Sequence, residues 1–231
     1  MLFRLWSPGV HRSTKDLDLL GSGAPDPARL ARLFAEIASV VVEDDGIVFD
    51  PSSVRSTRIK EDAEYEGVRV NVAARVGSAR LELQIDVGFG DAITPGTSEV
   101  EYPTLLSMQA PRLDVYPKET VVAEKLQAMV FLGIANSRMK DFFDVWFLAK
   151  HFEFEGPTLA RAIQATFERR KTDLPKAPPL ALTRTFAEDD AKMKQWKAFI
   201  SKTGDPAEGD DAGRGRRRHR AVCSAAYRRR S

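Results

Sequence analysis

The clearest pattern in the chain is an alternation of hydrophobic and polar residues with a period of two. It runs through residues 68–76 and, after the turn Gly77-Ser78, resumes in residues 81–87. Two alternating segments joined by a two-residue turn are typical of a β-hairpin with one buried and one polar face. Asp86 lies near the end of the polar face, and the glycines after it permit close approach by a ligand or another chain.

A shorter alternating segment, Asp16-Leu17-Asp18-Leu19, lies near the start of the chain. It predicts a short buried strand, with both aspartates on one face and both leucines directed into a core. Two carboxylates on one face are costly unless a cation sits between them, and a divalent metal is the usual solution. The alternative is a solvated strand edge with two aspartates of no special role.

The rest of the chain shows apolar residues mostly at helical spacing. Asp26 and Pro27 form a helix start, and Leu30, Leu33, Phe34, Ile37 and Val41 follow as one apolar stripe. Further helices are predicted at 118–135, 138–152, 157–170 and 189–201, and residues 1–6 resemble the end of a helix whose beginning is absent. The change from strands to helices predicts a domain over 1–112 and a helical domain over 113–203.

Composition excludes several classes of protein. The chain has 231 residues, 29% charged and 43% hydrophobic, enough for one large or two small soluble domains. No apolar run reaches the ~18 residues of a membrane span, and no signal-peptide pattern is present. The single cysteine, Cys223, fits a reducing cytoplasm, and three scattered histidines argue against a zinc site. Any metal should therefore be a hard cation bound by oxygen.

The net charge of +2 is unevenly distributed. Residues 204–231 contain eight arginines and four acidic residues, which leaves 27 basic and 29 acidic side chains in the rest of the chain. Bulk charge therefore does not indicate a nucleic-acid binder. The tail is either a basic arm that contacts RNA or a disordered appendage, and its lack of apolar residues favours the second interpretation.

Asp16, Asp18 and Asp86 together carry the candidate chemistry. Three carboxylates on neighbouring strands can hold two divalent ions ~4 Å apart for in-line attack on a phosphorus centre. Asp16 and Asp18 would bind metal, and Asp86 would bind metal or act as the base. Taken alone, Asp86 could equally be an exposed acid of the hairpin.

Two helical segments add charged residues. Glu124-Lys125 places Lys125 among apolar neighbours, from which its ammonium could reach an anion. Arg138-Met139-Lys140-Asp141-Phe142-Phe143-Asp144 puts Asp141 and Asp144 on one helix face, with Lys140 and Asp144 spaced as an i,i+4 ion pair. A solvated helix stabilised by salt bridges is the alternative interpretation.

Three ordered motifs resemble the AbiEii/AbiGii toxin family of nucleotidyltransferases. They are Arg12-Ser13-Thr14-Lys15-Asp16-Leu17-Asp18-Leu19, Val122-Ala123-Glu124-Lys125 and the segment from Arg138 to Trp146. The resemblance covers about residues 1–200. It implies an α+β fold in which a polymerase-β-like nucleotidyltransferase domain, a mixed sheet flanked by helices, precedes an α-helical domain. It also implies an NTP substrate, Mg²⁺ or Mn²⁺, a cognate antitoxin and tRNA as the acceptor.

The resemblance also implies roles for single residues. Asp16 and Asp18 match the metal-binding pair, Lys125 the lysine that contacts triphosphate, and Asp141 or Asp144 the later essential acid. Ser13, Arg138 and Lys140 are expected to help bind the nucleotide. The family's glycine element, which cradles phosphate at a helix start, would lie before residue 1, so weakened nucleotide binding is expected.

Three other functions remain open from the sequence. The chain could be a catalytically impaired homologue that acts as a binding protein. It could transfer nucleotides to a hydroxyl of a small molecule or a protein. It could also be a metal phosphohydrolase that uses the same carboxylates, which release of pyrophosphate would exclude.

Overall fold

A computed structural model describes residues 2–6, 17–60, 66–104 and 108–203. The elements of the amino-terminal part are α1 (Leu2–Trp6), β1 (Leu17–Gly21), α2 (Pro27–Ala38), β2 (Ile47–Lys60), β3 (Glu66–Val76) and β4 (Ala79–Phe89). Those of the carboxyl-terminal part are β5 (Ser98–Glu101), β6 (Arg112–Val115), α3 (Lys118–Leu132), α4 (Met139–His151), α5 (Gly156–Arg169), α6 (Arg184–Glu188) and α7 (Asp190–Thr203). Short 3₁₀ turns lie at Gly133–Ala135 and Leu180–Leu182. The predicted α+β class is confirmed.

The chain divides into two compact units. Of the described residues, one unit comprises 17–60 and 66–91 and contains the four-stranded sheet, whereas the other comprises 2–6, 92–104 and 108–203 and contains most of the helices. The short strands β5 and β6 belong to the helical unit. The predicted domains 1–112 and 113–203 stay a prediction, and the arginine-rich tail, 204–231, lies outside the described residues.

The sheet has the strand order β1-β4-β3-β2. Strand β1 is parallel to β4, and β3 is antiparallel to β4 and β2. The predicted hairpin is confirmed, since Val76 pairs with Ala79 across the turn Gly77-Ser78. This turn fixes the register of β3 against β4 along their whole length.

One face of the sheet packs against α2 and forms the core of this unit. Leu30 is the buried residue of α2, and it contacts the alternating apolar residues of the hairpin, among them Val68, Val70 and Val87. Because alternate residues of a strand point to opposite faces, the polar residues between them lie on the other face of the sheet.

Three expectations for this unit are corrected. Leu19 is 40% exposed, so β1 is an edge strand and is not the buried strand expected. The predicted stripe from Leu30 to Val41 is buried only in part, since Ile37 is 54% exposed and Val41, which lies beyond the end of α2 at Ala38, is 95% exposed. Strand β2 was not predicted because Asp50-Pro51-Ser52-Ser53 interrupts its alternation, at a point where its pairing with β3 changes register.

The start of α2 supplies a test of local stability. Asp26 is the N-cap, and its carboxylate accepts a hydrogen bond from the backbone N–H of Ala28 at 3.0 Å. Replacing Asp26 with alanine should lower the free energy of unfolding of the sheet unit by about 1 kcal/mol, because an N–H at the helix start loses its acceptor. Urea unfolding followed by circular dichroism measures this loss, and Asp26→Ser should retain most of the stability.

The helical unit has two clusters of buried side chains. The first joins Met129, Met139, Phe142, Ala181 and Phe186. The second joins Phe3, Val121, Phe143, Phe147 and Leu148. Phe3 of α1 lies edge-on to Phe147, with ring centroids 6.1 Å apart, so the first helix of the chain packs within the helical unit.

The helices predicted at 118–135, 138–152, 157–170 and 189–201 correspond to α3 with its 3₁₀ turn, α4, α5 and α7. Apolar spacing at 3.6 residues was a sufficient signal for them. None of the helices in the described part of the chain has the length and apolarity that a membrane span needs.

Candidate functional site

A row of charged side chains crosses the face of the sheet opposite α2. Asp18 of β1 pairs in register with Asp86 of β4, and Asp86 pairs in register with Arg69 of β3. Residues directly opposite one another on neighbouring strands point to the same face, and the strands lie roughly 4.8 Å apart. The sheet therefore places two carboxylates and one guanidinium side by side.

Arg69 and Asp86 form a bidentate ion pair. Nε of Arg69 donates to Oδ1 of Asp86 at 2.7 Å, and Nη2 donates to Oδ2 at 2.7 Å. The side chains are 38% and 21% exposed, so the pair is only partly solvated. The Gln84 carboxamide lies beside it and, with its oxygen turned toward Arg69, accepts two hydrogen bonds at 3.3 Å. Charge-assisted pairs of this geometry are stronger than exposed single contacts.

The donor set at this row is suited to a hard divalent cation. Asp18 is exposed, and its carboxylate makes no hydrogen bond or ion pair with any described residue. Asp86 offers two further carboxylate oxygens, which are shared with Arg69. The described residues contain no group of three potential metal ligands, and Asp16, the third predicted ligand, lies outside them. Asp18 and Asp86 thus supply oxygen ligands of the kind that a hard divalent cation takes.

A second charged cluster lies inside the helical unit. Nζ of Lys125 on α3 lies 2.7 Å from Oδ1 of Asp141 and 2.9 Å from Oδ2 of Asp144, both on α4. Neither carboxylate side chain is exposed to solvent, whereas that of Lys125 is 17% exposed. Nε of Arg138 lies 2.7 Å from Oδ2 of Asp141. Two cations thus balance two buried anions.

The carboxylates of Asp141 and Asp144 determine the protonation state of Lys125. Burial alone lowers the pKa of an ammonium, but the charges of Asp144 and Asp141, with their hydrogen bonds, outweigh burial and raise the pKa of Lys125 above its usual value of 10.5. Lys125 is therefore protonated at neutral pH.

This shift predicts a pH dependence of stability. Because the pKa of Lys125 is higher in the folded than in the unfolded chain, the ion pairs contribute fully below the usual pKa of 10.5 and are lost as pH rises through the folded pKa. The free energy of unfolding of the wild type, measured in urea from pH 7 to 11.5, should fall at the alkaline end by more than that of Lys125→Met. Equal slopes for the two proteins would contradict the assignment.

A network of contacts holds the segment before α4, which carries Arg138. The side chain of Asn136 is buried, and its Oδ1 accepts from the backbone N–H of Arg138 at 2.8 Å. The buried Lys192 of α7 donates to the Asn136 carbonyl oxygen at 2.8 Å. Residues 56 positions apart in sequence thus fix the position of Arg138.

The predicted site residues fall into four groups. The structure brings Asp18 and Asp86 together on the sheet, and Lys125, Arg138, Asp141 and Asp144 together in the helical unit. Ser13 and Asp16 lie outside the described residues. Lys140 is exposed on α4, and the expected ion pair with Asp144 is wrong, since Asp144 is buried against Lys125. The interpretation of Asp141 and Asp144 as a solvated, salt-bridged face is also wrong.

Sequence reasoning missed Arg69, Asn136 and Lys192. The hairpin register contained the signal for Arg69: pairing of Val76 with Ala79 requires Arg69 to face Asp86. No local pattern marks Asn136 or Lys192, because their contact depends on how α7 packs.

Comparison with known proteins identifies the family of the chain. The family model of the nucleotidyl transferase AbiEii toxin, of type IV toxin–antitoxin systems, matches residues 1–216. No curated protein matches the chain. Two crystal structures from Helicobacter pylori are similar at 15% identity: JHP933, with a TM-score of 0.50, and a protein provisionally described as a nucleotidyltransferase, with a TM-score of 0.51. Each alignment covers 97% of this chain, and 77% and 80% of those chains respectively. At this identity the likeness shows a shared fold.

Proposed function

We propose, since the chain belongs to the AbiEii nucleotidyl transferase toxin family, that it transfers a nucleoside monophosphate from an NTP to the 3′ end of tRNA with the help of Mg²⁺ or Mn²⁺. Membership of the family makes the chain a nucleotidyltransferase and the toxin of a toxin–antitoxin pair, with a cognate antitoxin and an NTP substrate. The metal, the acceptor and the residue roles are our proposal.

The observation that carries the proposal is the register of Asp18 against Asp86 on parallel neighbouring strands. We propose that these carboxylates, with Asp16, hold the divalent cation. A bound cation would supply positive charge to the triphosphate and lower the pKa of the attacking hydroxyl. The sheet contributes position, because backbone pairing places both aspartates side by side on one face of neighbouring strands.

In the helical unit we propose that Lys125 contacts the triphosphate. A lysine with this role has to remain charged and has to point in a fixed direction. The carboxylates of Asp141 and Asp144 raise the pKa of Lys125, which keeps it charged. They also lie 2.7 and 2.9 Å from its ammonium, which fixes the direction of the side chain. Arg138, Lys140 and Ser13 would add contacts to the nucleotide, and Asp141 or Asp144 would be the essential acid of this motif.

Transfer of radiolabel from each α-³²P NTP to total tRNA, with Mg²⁺ or with EDTA, tests the proposal. Label should appear on tRNA with Mg²⁺, disappear with EDTA and be lost with Asp86→Asn. Glu82→Gln is the matched control, because Glu82 is an exposed acid on the same strand and the same face as Asp86. Its activity should equal that of the wild type.

Other outcomes distinguish the competing functions. Label on a protein or a small molecule instead of tRNA would overturn the acceptor and retain the transferase. Release of inorganic phosphate without pyrophosphate would point to the phosphohydrolase. No transfer by a folded protein to any acceptor, with NTP still bound, would favour the nonenzymatic binding protein.

A further inference from the structure

The Arg69 guanidinium is hydrogen-bonded to Asp86, one of the two carboxylates proposed to bind the cation. Both oxygens of Asp86 accept hydrogen bonds from the Arg69 guanidinium at 2.7 Å. The hairpin register holds Arg69 directly opposite Asp86, so the contact does not depend on a flexible loop. The guanidinium uses one lone pair of each oxygen, on the side where the two oxygens face the same partner, so a divalent cation can chelate Asp86 through both oxygens only when Arg69 leaves.

We propose that Arg69 is a positioning residue that competes with the divalent cation for Asp86 and couples cation binding to binding of the substrate phosphates. This inference rests on the proposed function. Without nucleotide, Arg69 neutralises Asp86 and weakens cation binding. When a polyphosphate is present, the guanidinium turns to the phosphate oxygens and leaves Asp86 to the cation.

The surroundings of Arg69 suit this exchange. Its side chain is 38% exposed, so it can reach a ligand outside the sheet face, whereas Asp86 is 21% exposed and holds its place. Asp86 is paired with Arg69, whereas Asp18 has no cationic partner among the described residues. Arginine also binds phosphate in the same bidentate geometry that it uses for a carboxylate.

Direct measurement of Mn²⁺ binding to the full chain by electron paramagnetic resonance tests the coupling, with and without inorganic tripolyphosphate. Mn²⁺ alone should bind Arg69→Met roughly tenfold more tightly than the wild type, because the competitor is removed. Tripolyphosphate should strengthen Mn²⁺ binding to the wild type more than to Arg69→Met. Tripolyphosphate also binds Mn²⁺ in solution, so free Mn²⁺ is calibrated in protein-free samples.

Arg69→Lys separates competition from simple repulsion between charges. Lysine keeps the positive charge but lacks the planar fork, so it can engage only one oxygen of Asp86 well. Competition predicts tighter Mn²⁺ binding by Arg69→Lys than by the wild type, whereas simple repulsion predicts equal binding. Thermal unfolding of each variant establishes that it is folded.

The outcomes separate this inference from the proposed function. If Asp18→Asn and Asp86→Asn abolish Mn²⁺ binding but both Arg69 variants bind it no more tightly than the wild type, the role of Arg69 is overturned and the metal site stands. If neither aspartate variant changes Mn²⁺ binding, the metal site itself is overturned, and the inference with it.

Discussion

Replacing Lys125 with methionine should lower the free energy of unfolding of the helical unit by about 3–5 kcal/mol. Methionine has a similar length and fills the same space, so the change removes the charge with little loss of packing. It leaves Asp141 and Asp144 fully buried without the ammonium that lies 2.7 and 2.9 Å from them. Two such anions are costly to retain in a protein interior.

Urea unfolding followed by tryptophan fluorescence measures this loss. The three tryptophans, Trp6, Trp146 and Trp196, all belong to the helical unit, so the signal reports on that unit. Lys140→Met is the matched control: Lys140 is exposed on the same helix as the two acids, and its loss should change stability by no more than ~0.5 kcal/mol.

A compensated variant tests the reason for the loss. Lys125→Met combined with Asp141→Asn and Asp144→Asn also removes the two buried negative charges and should recover much of the stability. If Lys125→Met alone is as stable as the wild type, the cluster is not the buried ion network described above.

The helices and the hairpin could be predicted because their signals are local. Spacing of 3.6 residues indicated α3, α4, α5 and α7, and the turn Gly77-Ser78 set the register of β3 and β4. Strand β2 gave no such signal, because a local turn breaks its alternation. In this turn the Asp50 carboxylate accepts hydrogen bonds from the backbone N–H and the hydroxyl of Ser52. The exposure of Leu19 depends on β1 lying at the edge of the sheet, which its own residues do not encode.

Replacing Asp18 with asparagine should reduce nucleotide transfer at least about 10²-fold and leave the fold intact. A cation ligand contributes several kcal/mol of charge stabilisation, and each 1.36 kcal/mol is tenfold in rate. Asp18 is exposed and has no ion pair with any described residue, so its loss should cost less than ~0.5 kcal/mol of stability. The structure therefore predicts a separation of activity from stability at this position.

Initial rates of label transfer at saturating NTP, together with thermal unfolding, check both halves of this prediction. Glu82→Gln serves again as the control for loss of one acid on the same face. A normal rate for Asp18→Asn would remove Asp18 from the site, and a large loss of stability would show that the carboxylate has a structural role.

The acidic residues of the candidate site could be predicted from the sequence better than the contacts of its basic residues. Alternation placed Asp18 and Asp86 on strands, and the structure pairs those two strands in register, whereas Asp16 lies outside the described residues. The ion pairs of Lys125 could not be predicted. The sequence shows a lysine among apolar neighbours, but not that the packing of α4 brings two carboxylates to it. The hairpin register places Arg69 opposite Asp86, but no sequence motif indicated that Arg69 belongs to the site.

The central claim is that Asp18 and Asp86 act as one unit in nucleotide transfer. The most direct test is the transfer rate of Asp18→Asn, Asp86→Asn and the double variant, measured side by side at fixed Mg²⁺. If both carboxylates hold the same cation, the first substitution removes its benefit and the double variant should be about as slow as the slower single variant. Rate losses that multiply in the double variant would mean that the two carboxylates act independently, and would contradict the shared site.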